Sequence, residues 1–184
     1  MIEVEVKGYA SKDVKKRLDK RFELVEERFG IRITKDQIKH PRLKCLDIGI
    51  NRNTLIQLLR ETWRRWQSIP LLDKEAPTVL RNLKCRGFRV LVVTSRTRSD
   101  EFFVYSWLRN NKIEVDNVIF LGYWRRKSEF PDIDILIDDD AEEIGSIIEL
   151  GKMGIIYTQP WNKDINIEGA YRISKFRELE KILA

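Results

Sequence analysis

The 184-residue chain has little of what several functional classes require, with two cysteines, Cys45 and Cys85, and one histidine, His40. So few thiols and imidazoles exclude a disulfide framework and a zinc site of the Cys/His kind. No apolar run reaches the length that crosses a membrane, and the first residues alternate charged and apolar side chains where a signal segment would be basic and then apolar. We therefore expect a cytoplasmic protein that does not associate with membranes.

Charge, in contrast, is abundant. Charged residues make up 35% of the sequence, above the usual quarter, while the hydrophobic share of 42% is ordinary for a globular protein. The excess of Lys, Arg and Glu is a bias seen in proteins from hot environments. The net charge of +6 suits a polyanionic partner such as nucleic acid, but a modest positive balance that is spread along a chain is more often a solvated surface.

Helix and strand patterns alternate regularly after Pro70, which predicts an α/β fold with a parallel sheet and helices on both faces. The first residues, Ile2 to Val6, alternate as a half-buried strand should, and a helical pattern follows that Gly30 ends. We interpret 31–70 as a small helical cap insertion, with a helix that begins at Asn53, inside one domain that spans 1–184. The later strands are predicted at 88–93, 118–121, 133–137 and 154–157. The later helices are predicted at 76–85, from a cap at Ser99 or Asp100 through Leu108, at 141–150 and at 175–183.

Two of these strands end abruptly in polar residues. One runs into Thr94-Ser95-Arg96 and the other into Asp138-Asp139-Asp140. The carboxyl ends of parallel strands line the ligand crevice of an open sheet, so we expect these side chains to converge. Each motif also has a structural interpretation, because Thr and Ser are common in turns and an Asp run is typical of the start of a helix.

In this order, the motifs resemble the haloacid dehalogenase (HAD) superfamily, and most closely its 5'(3')-deoxyribonucleotidase-like branch. The resemblance covers nearly the whole chain and includes Glu27–Ile31, Pro70–Leu72 and Gln159–Asn162. It implies a HAD-like Rossmannoid fold and a magnesium-dependent phosphomonoester hydrolase. The implied substrate is a phosphorylated small molecule or a nucleotide.

The resemblance also assigns roles to residues, and the first motif departs from it. The family's first strand ends in Asp-x-Asp-Gly, where the first aspartate attacks phosphorus and the second protonates the leaving oxygen. Here Glu5 and Lys7 occupy those two positions before Gly8. The remaining assignments are phosphate binding by Thr94, Ser95 and Arg96, charge compensation by Lys127, and magnesium binding by Asp138, Asp139 and Glu5. Lys127 follows Trp124-Arg125-Arg126, so a basic surface loop explains it equally well.

These departures predict an impaired or repurposed site. Glutamate is one methylene longer than aspartate, and misplacing the attacking oxygen by about 1 Å can slow a reaction on the order of 10²-fold. Loss of the general acid removes roughly another 10²- to 10⁴-fold. Lys7 would also compete with magnesium for Glu5 and Asp138, so we expect weak metal binding or none.

Two alternatives remain open at this stage. The alternating Glu3, Glu5 and Lys7 also resemble the start of the triphosphate tunnel metalloenzymes, which bind metal and triphosphate through such charges inside a β-barrel. The other alternative is a non-catalytic protein that binds a phosphorylated ligand or nucleic acid, because two aromatic-basic groups, 63–66 and 124–127, combine stacking surfaces with positive charge. The helical spacing of Trp63 and Trp66 is also typical of side chains that pack against a core.

Overall fold

The computed structural model describes residues 2–4, 26–27, 30, 32, 52–122, 125–130 and 132–184. It has a six-stranded sheet in which every neighbouring pair of strands is parallel. The strands are β1 (Ile2–Val4), β2 (Val90–Thr94), β3 (Asn117–Phe120), β4 (Ile135–Asp138), β5 (Met153–Tyr157) and β6 (Tyr171–Ile173), and they lie side by side in the order β3-β2-β1-β4-β5-β6. The predicted α/β fold class is confirmed.

Five α-helices and four short 3₁₀ turns are described. The helices are α1 (Arg52–Arg64), α2 (Ala76–Cys85), α3 (Glu101–Asn110), α4 (Ala141–Glu149) and α5 (Leu179–Ile182). The 3₁₀ turns are Trp66–Ser68, Arg98–Asp100, Lys127–Glu129 and Phe176–Glu178. Ahead of them, Glu26 and Glu27 are helical and the N–H of Gly30 donates to the carbonyl of Glu26 at 2.9 Å. The φ of Gly30 is +64°, which is the conformation that favours glycine just after a helix.

Alternate residues of the strands pack against helices on opposite faces of the sheet. On one face, Val92 and Ile137 belong to a core cluster that contains Leu80 of α2 and Trp107 of α3. On the other face, Leu136 and Ile156 pack with Ile144 and Ile147 of α4. The near-continuous apolar runs of β2 and β4 follow from burial on both faces.

Helix α4 lies directly on β5 because residue 154 is a glycine. A Cβ built on Gly154 would approach Ile144 Cγ2 to 2.9 Å and Ile148 Cδ1 to 3.0 Å. Contacts of that length are too short for a methyl group, so the packing distance between helix and strand depends on this glycine.

The boundaries of α2 and α4 agree closely with the sequence patterns, whereas the carboxyl-terminal region differs from expectation. The helix expected at 175–183 is a 3₁₀ turn followed by the four-residue α5. The Glu178 carboxylate accepts the N–H groups of Ser174 and Lys175, a capping-box contact that marks where the 3₁₀ turn begins. Strand β6 was not predicted, since only one of its three residues, Ile173, is buried and so short a segment has no readable alternation.

The parallel sheet differs from the β-barrel of the tunnel metalloenzymes. Strand β1 pairs in parallel with both β2 and β4, whereas a tunnel enzyme would need β1 in a β-barrel. The prediction of a helix from Asn53 is confirmed by α1, which lies inside the proposed cap insertion at 31–70. Residues 33–51 of that insertion lie outside the described residues, so the insertion as a unit stays a proposal.

Candidate active site at the carboxyl edge of the sheet

Thr94 and Asp138 end strands on either side of β1. Leu91 of β2 and Leu136 of β4 both pair with Glu3 of β1, which fixes the relative height of the two strands. Thr94 follows Leu91 by three residues and Asp138 follows Leu136 by two, so the strand ends differ in height by one residue, about 3.3 Å. Two strand spacings separate them by about 10 Å. The strand-end motifs therefore border the same edge of the sheet.

Lys127 is buried at this edge and forms an ion pair with Asp138. Its ammonium donates a hydrogen bond to Asp138 Oδ2, and the two side chains are 5% and 0% exposed. The backbone N–H of Lys127 donates to Glu143 Oε2 of α4 at 3.0 Å, which anchors the 3₁₀ turn to that helix. The interpretation of Lys127 as part of a surface basic loop is therefore wrong, because both its head group and its backbone have acidic partners inside the protein.

The environment keeps Lys127 charged. Burial acts to lower the pKa of the ammonium. The charge and hydrogen bond of Asp138, together with the charges of Asp139 and Glu143, outweigh this effect and raise the pKa above its ordinary value. Four carboxyl groups around the end of β4 are buried, those of Asp138, Asp139, Asp140 and Glu143.

The three consecutive aspartates have different tasks. Asp138 Oδ1 accepts the N–H of Asp140 at 2.9 Å, which folds the turn after β4. Asp140 Oδ1 accepts the N–H of Glu142 at 3.1 Å and caps α4, which confirms the prediction that one aspartate of the run caps a helix. Asp139 is 4% exposed, and its carboxylate lies close enough to Lys127 to raise the pKa of the Lys127 ammonium.

Asn162 fixes the backbone at Asp139. Its Nδ2 donates to the carbonyls of Asp139 and Tyr157, both at 2.9 Å, and so joins the ends of β4 and β5. Its Oδ1 accepts the N–H of Gln159 at 2.8 Å and an N–H of Arg172 at 3.4 Å. At 1% exposure, Asn162 meets the hydrogen-bonding needs of a buried amide through these contacts.

The turn after β2 is fixed by backbone and side-chain hydrogen bonds. The carbonyls of Thr94 and Arg96 accept the N–H groups of Leu121 and Gly122, each at 2.9 Å. The hydroxyl of Thr94 accepts the N–H of Arg96 at 3.3 Å. Thr94 is buried, whereas Ser95 is exposed and Arg96 is half-buried. Of the three residues that we expected to bind phosphate, Thr94 and Arg96 are thus held in place by the turn itself.

The Arg96 guanidinium lies over the indole of Trp63 from α1. The guanidinium carbon lies 3.8 Å from the ring centroid. Trp63 is only 6% exposed and makes an edge-to-face contact with Trp107, with centroids 6.1 Å apart. Trp107 in turn donates its indole N–H to the carbonyl of Ile69 at 2.8 Å. This chain of contacts joins the turn after β2 to the carboxyl-terminal part of the proposed insertion.

Magnesium is the cofactor that the resemblance implies, and the described residues do not fit it by themselves. Both oxygens of Asp138 are engaged, one by Lys127 and one by the N–H of Asp140. Across the described part of the chain, no group of three or more His, Cys, Asp or Glu side chains is arranged to hold an ion. A magnesium site here requires ligands from other residues, and the resemblance proposes Glu5 as one of them.

The structure describes six of the predicted site residues and leaves Glu5 and Lys7 outside its described part. Thr94, Ser95, Arg96, Lys127, Asp138 and Asp139 are described, and all lie at or just beyond the carboxyl ends of strands or on the adjoining turn at 127–129. Glu5 and Lys7 lie outside the described residues, and β1 as described ends at Val4, which pairs with Ile137. Their predicted convergence with the other residues stays a prediction.

The sequence argument did not identify Glu143 or the Arg96 contact with Trp63. Glu143 gave no signal, because an acidic residue in the first turn of a helix is ordinary. Asn162 was noted only as part of the resemblance at 159–162, and its role in joining two strand ends is a feature of the fold. Pairing of residues far apart in sequence carries no local pattern, so these contacts required the structure.

The nucleic-acid hypothesis loses two of its supports. Trp63 is buried against Trp107 and covered by Arg96, so it is not an exposed surface for base stacking. Lys127 is buried in an ion pair and is not part of an exposed basic group.

Among the described residues, no helix combines the length and apolar character that crossing a membrane would take.

The chain shares its fold with several solved structures that are described as hydrolases or phosphatases. A predicted phosphatase from Clostridium acetobutylicum is 18% identical, with a TM-score of 0.74 and coverage of 99% of this chain and 97% of that one. A HAD hydrolase of family IA from Entamoeba histolytica is 16% identical, with a TM-score of 0.68 and coverage of 96% and 93%. A HAD-hydrolase from Bacillus subtilis, bound to magnesium, is 17% identical, with a TM-score of 0.63 and coverage of 99% and 97%.

No family model matches the sequence, and no curated protein matches it. Identities of 16 to 18% with these solved structures show a HAD-like fold and leave the activity to be argued from the site.

Proposed function

We propose that the protein is a phosphatase-like member of the HAD fold that binds a phosphorylated small molecule or nucleotide at the carboxyl edge of its sheet and hydrolyses it poorly. The observation that carries the proposal is the placement of Thr94 and of the Lys127 and Asp138 pair on the two sides of β1. This placement supports a hydroxyl donor and a charged lysine around a reacting group, with Glu5 following β1 in sequence.

Anion binding at this edge needs positive charge close to the strand ends, because buried carboxyl groups such as those of Asp138 and Asp139 repel a phosphate dianion. Lys7 and magnesium are the two candidate cations at the end of β1, and Arg96 adds positive charge beside Thr94. Lys7, which stands in place of the family's general acid, therefore favours anion binding. The same replacement removes the aspartate that protonates the leaving oxygen in the family.

Poor hydrolysis follows from the first motif. The substitutions of Glu5 and Lys7 for the two aspartates together correspond to a penalty on the order of 10⁴- to 10⁶-fold. A non-catalytic ligand-binding protein is the limiting case of the same proposal. The nucleotidase-like branch rests on the sequence resemblance, because solved structures with this fold also include β-phosphoglucomutases and phosphatases.

The experiment compares binding with turnover on the unmodified protein. Inorganic phosphate and nucleoside monophosphates are titrated calorimetrically with and without magnesium, and phosphate release is followed from nucleoside monophosphates and an aryl phosphate. Asp138→Asn serves as the site variant, and Asp164→Asn, which changes an exposed carboxylate, serves as the matched control. We expect measurable binding, weakened by changes at the strand ends, with very slow release.

Two results would contradict the proposal in different ways. Rapid magnesium-dependent turnover that Asp138→Asn abolishes and Asp164→Asn preserves would show that Glu5 and Lys7 form a working variant of the family's site. Absence of both binding and turnover would show that the edge of the sheet does not accept phosphate.

A further inference from the structure

Helix α3 exposes two aromatic and two charged side chains on its solvent face. These four residues, which we call the α3 stripe, are Glu101, Phe102, Tyr105 and Arg109. Their spacing places them within about 100° of the helix circumference. Trp107, on the opposite side of the helix, is buried in the core. The α3 stripe is therefore the outer face of an amphipathic helix, and it carries two large rings where polar residues are usual.

The two rings of the α3 stripe are exposed and ordered. Phe102 is 70% exposed and Tyr105 is 37% exposed. The ring of Phe102 meets that of Phe103 edge to face, with centroids 5.5 Å apart, and the ring of Tyr105 lies 6.5 Å from that of Phe120 on the edge strand β3. Contacts of this kind hold a ring in place before a partner arrives. Neighbouring exposed aromatic side chains are typical of the centre of a protein–protein interface.

The charges of the α3 stripe are symmetric about Tyr105. Glu101 precedes Tyr105 by four residues and Arg109 follows it by four, so each charge lies about 6 Å from Tyr105 along the helix axis. Within the described part of the chain, neither Glu101 nor Arg109 forms an ion pair. Two antiparallel copies of α3 with their Tyr105 residues level bring Glu101 of each copy opposite Arg109 of the other. A parallel pair would oppose like charges.

From this charge pattern we infer that the α3 stripe is the contact surface of a symmetric homodimer, in which a second copy of this chain covers Phe102 and Tyr105. The two rings form the apolar centre of the interface, and Glu101 and Arg109 form its charged rim. Each charge pair occurs twice, because the contact is isologous. Two rings from each copy bury less than a standard interface of about 1,600 Å², so the dimer is weak, with a dissociation constant of roughly 1 to 100 µM.

The test is sedimentation equilibrium of the full chain and its variants at concentrations from about 1 µM to about 500 µM. Phe102→Ser removes the more exposed ring. Tyr171→Ser is the matched control, because Tyr171 is 49% exposed on β6 at the other edge of the sheet. The charge variants are Glu101→Arg, Arg109→Glu, the double reversal, and an equimolar mixture of the two single variants. Thermal unfolding followed by circular dichroism verifies that every variant is folded.

We expect Phe102→Ser to weaken dimerisation at least about 10-fold and Tyr171→Ser to leave it within about twofold. Each single charge reversal places two like-charge pairs in the interface and should weaken dimerisation about 3- to 30-fold. The double reversal should dimerise like the parent, because it exchanges the two charges and restores both pairs. The mixture of the single variants should form a heterodimer, since the two reversals complement each other across an antiparallel contact.

Each contrary result overturns a different part of the inference. A parent chain that stays monomeric at about 500 µM rules out the homodimer, and Glu101 and Arg109 then serve only the dipole of α3. If the parent dimerises and Phe102→Ser has no larger effect than Tyr171→Ser, the dimer uses another surface. If Phe102→Ser weakens the dimer while neither charge reversal does, or if the mixed single variants stay apart, the antiparallel register about Tyr105 is wrong.

Discussion

Lys127 and Asp138 form a buried ion pair across eleven residues of the chain. The pair attaches the 3₁₀ turn at Lys127–Glu129 to the carboxyl end of β4, and Glu143 reinforces the attachment through the backbone of Lys127. A lysine whose head group and backbone both meet buried carboxylates is fixed in position before any ligand arrives. The ion pair therefore stabilises the same edge of the sheet at which we propose the phosphate site.

Lys127→Met is expected to destabilise the protein by about 3–5 kcal/mol, because it removes the ammonium that pairs with the buried Asp138 carboxylate. Lys163→Met is the control, since Lys163 and Asp164 are exposed and 3.8 Å apart, a kind of pair that contributes little. Urea unfolding followed by circular dichroism measures both free energies of unfolding. Similar small changes in the two variants would show that the buried pair is not important for stability.

Asp116 makes stability depend on pH in the acidic range. Burial acts to raise its pKa, but the hydrogen bonds from Lys84 at 2.6 Å and from the Val90 N–H at 2.7 Å outweigh this and hold the pKa below 3.8. The folded state thus binds fewer protons than the unfolded state, so Asp116 stabilises the fold above pH 3.8 and this contribution is lost as pH falls through the folded-state pKa.

Urea unfolding of the parent and of Asp116→Asn from about pH 6 to about pH 2 checks this behaviour. The parent should be more stable at the upper end, and the difference should shrink below pH 3.8. A difference that stays constant across the range would mean that the Asp116 carboxylate is not coupled to folding. Lys84→Met should reduce the pH dependence, because it removes one of the two donors.

Gly154→Ala and Gly145→Ala are expected to change stability in opposite directions. A methyl group at 154 meets Ile144 at 2.9 Å and should cost about 1–3 kcal/mol through overpacking between β5 and α4. A methyl group at 145, inside α4, has no atom within 4 Å and should add up to about 1 kcal/mol through helix propensity. Chemical unfolding measures both, and equal signs would contradict the packing of α4 on β5.

The combined change Glu5→Asp with Lys7→Asp should raise phosphomonoester hydrolysis more than either change alone. Nucleophile and general acid act as one unit, so restoring one while the other is missing gains little, and the effects should be strongly non-additive. Phosphate release from nucleoside monophosphates in the presence of magnesium is measured for the parent, both single variants and the double variant. An inactive but folded double variant would favour the non-catalytic form of the proposal.

The sequence by itself determined the alternation of strands and helices from α2 to β5 and the polar strand ends. The apolar run that ends at Thr94 and the run before Asp138 predicted two buried parallel strands, and Ala76–Cys85 was recognisable as a helix. These are local signals, since periodicity, a proline in the first turn and a glycine beyond the last turn depend only on neighbouring residues. Convergence of the strand ends followed from the geometry common to all parallel sheets.

Only the tertiary structure decided which polar groups meet. Lys127 is equally compatible in sequence with a surface loop and a buried site, and the packing of its turn against Asp138 and Glu143 selects the buried one. From the sequence, Trp63 was a candidate surface for base stacking. In the structure it is buried, and its ring contacts the Arg96 guanidinium. Contacts between residues distant in sequence depend on packing and on the cost of burying charge, and neither leaves a local pattern.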